Sequence, residues 1–258
     1  MKNKIKTNIN LNEYTWESDK FHSLMENKKE DLLLTTKPST IPQDWIDISF
    51  KTYPRLKSIP LNSALKSSEL EKTLIKRTSD KNMGKKQIDF KTLSHLLFYS
   101  AGITSVADNI NMSRRPYPSA GGRYPLEIYA AVLRGKGIEK GLYHYNVKRN
   151  SIELLLEKDL QDEIKNVIGH EDWILDSSVI FFITGILDRN RTKYRNRGYL
   201  YTLLEAGHMA QNICLLATKL NLKVSPLGGF ANAEVAQFID ILNSKEKPIY
   251  AIVVGKSK

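Results

Sequence analysis

RRPYPSAGGRYPLEIYAAVL, residues 114–133, joins a proline-stiffened, glycine-broken loop to an apolar run. The prolines reduce the loop's flexibility, while Gly121 and Gly122 let a flat or anionic ligand approach the backbone closely. Gly-Gly between prolines equally suits an ordinary turn before a strand, so both readings stand at this point. The second half, Glu127 to Leu133, is the first of a cluster of strand signals that continues through Leu142 to Tyr145, Ile152 to Leu156 and Val179 to Leu187. Their short spacings predict antiparallel hairpins.

Upstream, Ser67 to Arg77 has a polar start and Leu70, Leu74 and Ile75 at helical spacing. Leu93, Leu96, Leu97 and Ala101 form a second helical stripe. Downstream, helices are predicted at Leu160 to Ile168, Tyr199 to Leu220 and Glu234 to Leu242, and strands at Leu222 to Val224 and Ile249 to Val254. Helices and strands are segregated rather than alternating, which predicts an α+β fold. From Met1 to about Pro60 the chain is polar and irregular, with a helical patch at Phe21 to Glu30 and punctuation at Pro38, Pro42, Pro54 and Pro60. It reads as an extension, residues 1–60, wrapped over a domain of residues 61–258.

At 258 residues the chain can bury a substantial core. Its net charge of +11 invites a nucleic-acid partner, but the lysines are scattered without a stripe interleaved with aromatics, and no zinc spacing or RNP-like run is present. The excess charge suits an anionic cofactor, an acidic peptide or a solvated surface. A single cysteine, Cys214, excludes an intramolecular disulfide and a thiolate-rich metal site, and it fits a reducing cytoplasm. Met1 to Asn10 lacks the apolar stretch of a signal peptide, and Val179 to Leu187 is too short to span a bilayer, so no membrane insertion is expected.

Three further segments could carry chemistry. Lys76-Arg77-Thr78-Ser79 offers two cations and two hydroxyls to a phosphate, or simply decorates a helix C-terminus. Pro226-Leu227-Gly228-Gly229 could donate backbone amides to a ring, or make a strand-to-helix turn. Arg191 to Tyr199, expected as a connecting loop, places Lys193 and Tyr194 where they could bind an anion or transfer a proton, and is otherwise a solvated basic loop. Glu205 and His208, at i and i+3, lack the partner carboxylates of a metal site and read as a hydrogen-bonded core pair. Cys214, among Ile213, Leu215 and Leu216, reads as inert packing. No nucleophile elbow, Walker loop or dinucleotide fingerprint is found.

Taken in order, the Lys-Arg-Thr box, Pro118-Ser119-Ala120-Gly121-Gly122-Arg123-Tyr124-Pro125-Leu126-Glu127, Gly141-Leu142-Tyr143-His144-Tyr145, Lys193-Tyr194 with Arg197-Gly198-Tyr199, Leu204-Glu205-Ala206-Gly207-His208 and Leu227-Gly228-Gly229 resemble the SagB-type dehydrogenases of the nitroreductase family. The resemblance implies a nitroreductase-like fold, a central antiparallel sheet flanked by helices, in an FMN-binding homodimer with flavins at the subunit interface. By position, Lys76, Arg77 and Thr78 resemble phosphate and ribityl contacts, and Pro118, Ser119, Ala120, Gly121 and Gly122 the flavin-ring loop. Gly228 and Gly229 resemble backbone donors to the ring, and Lys256 a phosphate-binding cation. Asp80 and Lys81 stand where the family usually has another basic residue, which puts the contact to the pyrimidine edge in question.

In family members that aromatise azolines a Lys-Tyr pair is associated with catalysis, and Lys193-Tyr194 matches it. The implied activity is dehydrogenation of thiazoline or oxazoline rings in a peptide: Lys193, if burial lowers its pKa, takes the α proton while a hydride passes to flavin N5. Cyclising enzymes are the implied partners. The alternatives are an NAD(P)H-dependent reductase of nitro, quinone or dehydroamino-acid groups, and a non-catalytic peptide-binding subunit.

Overall fold

A computed structural model describes residues 16–33, 50–51, 53–61, 68–110, 113–168 and 171–258. The expectations for Met1 to Asn10, Pro38, Pro42 and Ser67 lie outside these residues. The helices are α1 (Glu17–Met25), α2 (Lys29–Leu33), α3 (Glu69–Lys76), α4 (Phe90–Ala101), α5 (Gln161–Ile168), α6 (Asp172–Leu175), α7 (Asp188–Tyr194), α8 (Arg197–Lys219) and α9 (Asn232–Phe238). The strands are β1 (Ile88–Asp89), β2 (Leu126–Val132), β3 (Gly135–Lys136), β4 (Gly141–Asn146), β5 (Ser151–Glu157), β6 (Val179–Ile186), β7 (Lys223–Leu227) and β8 (Glu246–Gly255). Six strands form one antiparallel sheet in the order β5-β4-β2-β6-β8-β7, so the fold is the expected α+β sheet flanked by helices.

The continuous apolar runs are explained by burial on both faces of that sheet. Ile128, Ala130 and Val132 of β2, with Val179, Phe181 and Ile183 of β6, pack on one face against Leu93, Leu96 and Leu97 of α4 and Met209 and Ile213 of α8. Their alternates Tyr129, Ala131, Ile180 and Phe182 pack on the other face against Leu160, Ile164 and Val167 and against Val235. Alternation of period two thus decides which layer each residue joins. Ser68 caps α3 in a reciprocal capping box with Glu71, and Asp89 caps α4 through the Thr92 amide.

Two expectations are corrected here. The patch at Phe21 to Glu30 is two helices, broken where Glu26 adopts extended backbone. The basic segment after β6 is not a loop: its first half is α7, and Arg195 in a left-handed conformation (φ 54°) turns the chain into α8.

Helix α1 docks where those two helices meet. The Arg191 guanidinium, buried under α1, donates to Asp19 at 2.6 Å and Ser18 at 2.9 Å. His22 Nδ1 meets the Tyr199 hydroxyl at 3.0 Å. Burial holds the His22 imidazole below its ordinary value of 6.5 despite Glu26 beside it. The folded state therefore binds fewer protons than the unfolded chain, and the stability His22 contributes is present above about pH 6.5 and lost as pH falls below it. The gap in melting temperature between the wild type and His22→Gln is predicted to narrow as pH is lowered from about 8 to about 5. A gap that stays constant over that range contradicts the assignment.

Candidate functional site

Glu205 sits in the third turn of α8, 3% exposed, and its carboxylate reaches out of the helix to hold the glycine loop. Oε1 accepts the Ala120 amide at 3.0 Å and Asn190 Nδ2 at 3.3 Å. Burial pushes the carboxyl above its ordinary range, and the Ala120 amide, the Ser119 hydroxyl and Asn190 oppose that shift. His208 is exposed and makes no bond to Glu205, so the expected core pair is replaced by a helix-to-loop tie. The loop is fastened further by Asn212 donating to the Pro116 carbonyl at 3.0 Å and by the Tyr124 amide donating to Ser119 Oγ at 2.8 Å.

Held this way, residues Ala120–Gly122 make a 3-10 turn in which Gly121 and Gly122 both have φ +63°. A Cβ on Gly121 would stand 2.7 Å from the Tyr194 hydroxyl and 3.0 Å from Lys193 Nζ, whereas one on Gly122 would meet nothing within 4 Å. The loop and the Lys-Tyr pair are therefore one site, with open space over Gly122. Lys193 is exposed and Tyr194 half-buried, its ring edge-on to Tyr201 at 5.0 Å. Arg123 braces the turn from behind by donating to the Arg189 carbonyl and to Thr192 Oγ1.

The other predicted residues gather along β7. At its start, Lys76, Thr78, Asp80, Lys223 and Ser257 line a cavity of about 260 Å³. Lys76 Nζ bonds Asn221 at 2.6 Å, and the Asp80 amide donates to the Val224 carbonyl at 2.9 Å. At the far end of the strand, Gly228 faces open space where a Cβ would stand, and its carbonyl accepts Asn27 Nδ2 at 3.3 Å. A five-residue strand thus separates the cationic cavity from Gly228 and Gly229 by roughly 16 Å. Arg77 and Lys256 do not line the cavity: Arg77 acts electrostatically on Cys214, and Lys256 on Asp89. Burial pushes the Cys214 thiol up to about 11, which keeps it protonated and inert.

Asp80 is explained locally. Lys223 Nζ at 2.6 Å and the Asn82 amide at 2.8 Å hold its carboxyl below the ordinary range, so the carboxylate is neutralised where it stands. Lys81 pairs with Glu171 at 3.2 Å and lies over the Trp173 ring. None of Gly121, Gly122, Lys193 and Tyr194 lines the cavity at the start of β7. Among the described residues there is also no cluster of three metal-ligating side chains, and no helix long and apolar enough to cross a membrane.

The donor set fits FMN. Ammonium and hydroxyl groups around a small cavity suit a phosphate, and glycine backbones with nothing where a Cβ would stand leave room for a flat ring.

The sequence profile of the nitroreductase family matches residues 74–256. The chain belongs to the nitroreductase family. It is 34% identical over 188 residues, 73% of this chain and 91% of the relative, to the nitroreductase-type protein MJ1384 of Methanocaldococcus jannaschii. It is also 29% identical over 149 residues to the microcin B17-processing protein McbC of Escherichia coli, covering 55% of this chain and 54% of McbC. The chain thus spans about half the length of that relative. Among solved structures, a chain of the Escherichia coli microcin synthetase McbBCD complex with truncated pro-MccB17 superposes with a TM-score of 0.69. The match is 20% identical and covers 93% of this chain and 91% of that one, a likeness of fold.

Both loop glycines adopt the same left-handed φ, which would strain any residue with a Cβ, but only Gly121 has neighbours where that Cβ would stand. Gly121→Ala and Gly122→Ala are each predicted to lose about 1–2 kcal/mol from backbone strain, with a further loss for Gly121→Ala as Tyr194 and Lys193 are displaced. Equal losses in denaturant unfolding would contradict the placement of Tyr194 against Gly121.

Proposed function

We propose that this nitroreductase-family protein is an FMN-dependent dehydrogenase of SagB type that converts thiazoline or oxazoline rings of a peptide to azoles. One observation carries the reading: Lys193 Nζ and Tyr194 Oη converge on the backbone of Gly121, beside the open space at Gly122. A proton acceptor and a backbone cradle face the same place. The names of two relatives, the microcin B17-processing protein McbC and the trifolitoxin-processing protein TfxB of Rhizobium leguminosarum, support a peptide as substrate.

In this reading Lys76 and Thr78, which line the cavity at the start of β7, hold the phosphate and ribityl end of FMN, and Gly228 and Gly229 present amides to its ring. Pro118, Ser119, Ala120, Gly121 and Gly122 of a second copy close over that ring, since none of them lines the β7 cavity of the same chain. Bound there, FMN supplies the two-electron acceptor that conversion of an azoline to an azole requires. Lys193 takes the acidic α proton on Nζ, and Tyr194, in reach of the same backbone, orients the ammonium or shares its proton. Glu205, by fixing the Ala120 amide, keeps the cradle in place. The working form is a cytoplasmic homodimer, residues 61–258 forming the catalytic domain behind the 1–60 extension. Its partners are the peptide and the cyclising enzymes that prepare it.

The identity with MJ1384 over 91% of that protein's length favours a second reading, an NAD(P)H-dependent reductase. Lys193→Ala separates the two. Azole formation is predicted to fall about 100-fold or more while FMN stays bound, and NADPH is predicted not to bleach the flavin rapidly in stopped flow. Undiminished azole formation sinks the base assignment, and rapid bleaching by NADPH with no azoline turnover favours the reductase.

A further inference from the structure

Behind the 120–124 turn lies a cavity of about 380 Å³ whose walls carry Arg115, Arg123, Lys148 and Arg189. Glu127 is the single carboxylate lining it. That charge is already matched within the wall: Glu127 Oε1 accepts Arg189 Nη2 at 2.6 Å, and Oε2 faces His144 Nε2 at 3.2 Å. Burial pushes the Glu127 carboxyl up, and His144 and Arg189 outweigh it, so the group stays below its ordinary range.

The remaining cations have donors to spare. Arg115 makes one side-chain bond, to the Tyr117 hydroxyl at 3.3 Å, and stacks on the Tyr124 ring at 4.8 Å, which fixes the plane of its guanidinium. Lys148 has no hydrogen bond or ion pair among the described residues. Arg115 is half-buried while Arg123 and Lys148 are exposed at the same space, and an anion with two oxygens set among them can accept paired, charge-assisted N–H bonds.

The same face of the sheet continues past Glu127 and His144 into a groove of about 660 Å³ walled by Tyr129, Leu142, Leu155, Leu156, Phe238 and Ile241. Glu127 and His144 line both spaces, so the two adjoin as one trough, basic at one end and mostly apolar at the other, where Asp240 and Glu246, the latter accepting the Tyr129 and Thr184 hydroxyls, also line the wall. A lone phosphate or carboxylate would use only the basic end. The basic end abuts the catalytic group, because Arg123 bonds Thr192, the neighbour of Lys193.

We infer that this trough is a subsite for an extended peptide segment, seating an aspartate or glutamate carboxylate among Arg115, Arg123 and Lys148 and adjacent apolar residues along the groove. The inference rests on the reading of the substrate as a peptide, and it names the sequence character that the peptide must have.

The test uses the full-length protein and a fluorescein-labelled octapeptide, Gly-Ser-Glu-Leu-Val-Leu-Gly-Ser, against its Glu-to-Gln counterpart, with binding read by fluorescence anisotropy. The Glu peptide is expected to bind about ten-fold more tightly, as befits a charge-assisted hydrogen bond. Lys148→Glu, a change at an exposed side chain, and Arg115→Gln, whose melting temperature is recorded alongside, are expected to abolish that preference. Equal affinity for the two peptides, or a preference untouched by Lys148→Glu, overturns the subsite. Flavin absorbance of the same samples keeps the two ideas apart. Discrimination between peptides by a protein that takes up no flavin would overturn the dehydrogenase reading and leave the subsite standing. Indifference to the peptides in a yellow protein would overturn the subsite alone.

Discussion

The carboxylate of Glu205 is the fixed point of the molecule. It belongs to a buried face of α8, yet it spends its hydrogen bonds outside that helix, on the Ala120 amide and the Asn190 side chain. A buried carboxylate is tolerable only while such partners are in place. The loop, helix α7 and helix α8 are therefore coupled through one side chain, and the approach of Gly121 to Lys193 and Tyr194 follows from it.

A second constraint comes from the sheet. With β2, β6 and β8 buried on both faces, chemistry is pushed to the sheet's margins and to the loops that leave it. The edge strand β7 carries the cationic cavity at one end and the glycine pair at the other, and the loop leading into β2 carries the glycine turn. The net positive charge is put to local use. Lys223 neutralises Asp80, Arg189 neutralises Glu127, and Arg115, Arg123 and Lys148 gather at one space beside the Lys-Tyr pair.

Much of this was legible in the sequence, for identifiable reasons. Val179–Ile186 reads as a buried strand because both its faces meet helices, and α8 shows a helical stripe because one side lies on the sheet. Their boundaries moved by only one or two residues, the scale on which helix and strand ends are ordinarily uncertain. Helix α7 was illegible: it has no apolar stripe, and it is held by Arg191 reaching Asp19 and Asn190 reaching Glu205, contacts that no local pattern encodes. The parallel pairing of β1 with β3 is two residues long and joins segments far apart in the chain. Family resemblance pointed to Lys193, Tyr194 and the glycine loop, but the cation cluster escaped, since Arg115, Lys148 and Arg189 come from three separate segments. Asp80 looked anomalous in sequence only because its partner, Lys223, is distant in the chain.

The account rests on the cationic cavity and the two glycine stretches serving a single flavin. Titration of the colourless, flavin-stripped protein with FMN, followed by absorbance and by the change in oligomeric size, tests this most directly. The account predicts uptake of one FMN per chain in a dimer, with uptake weakened in Lys76→Ala and Thr78→Ala variants that keep their fold. A folded protein that stays monomeric and takes up no FMN would contradict it.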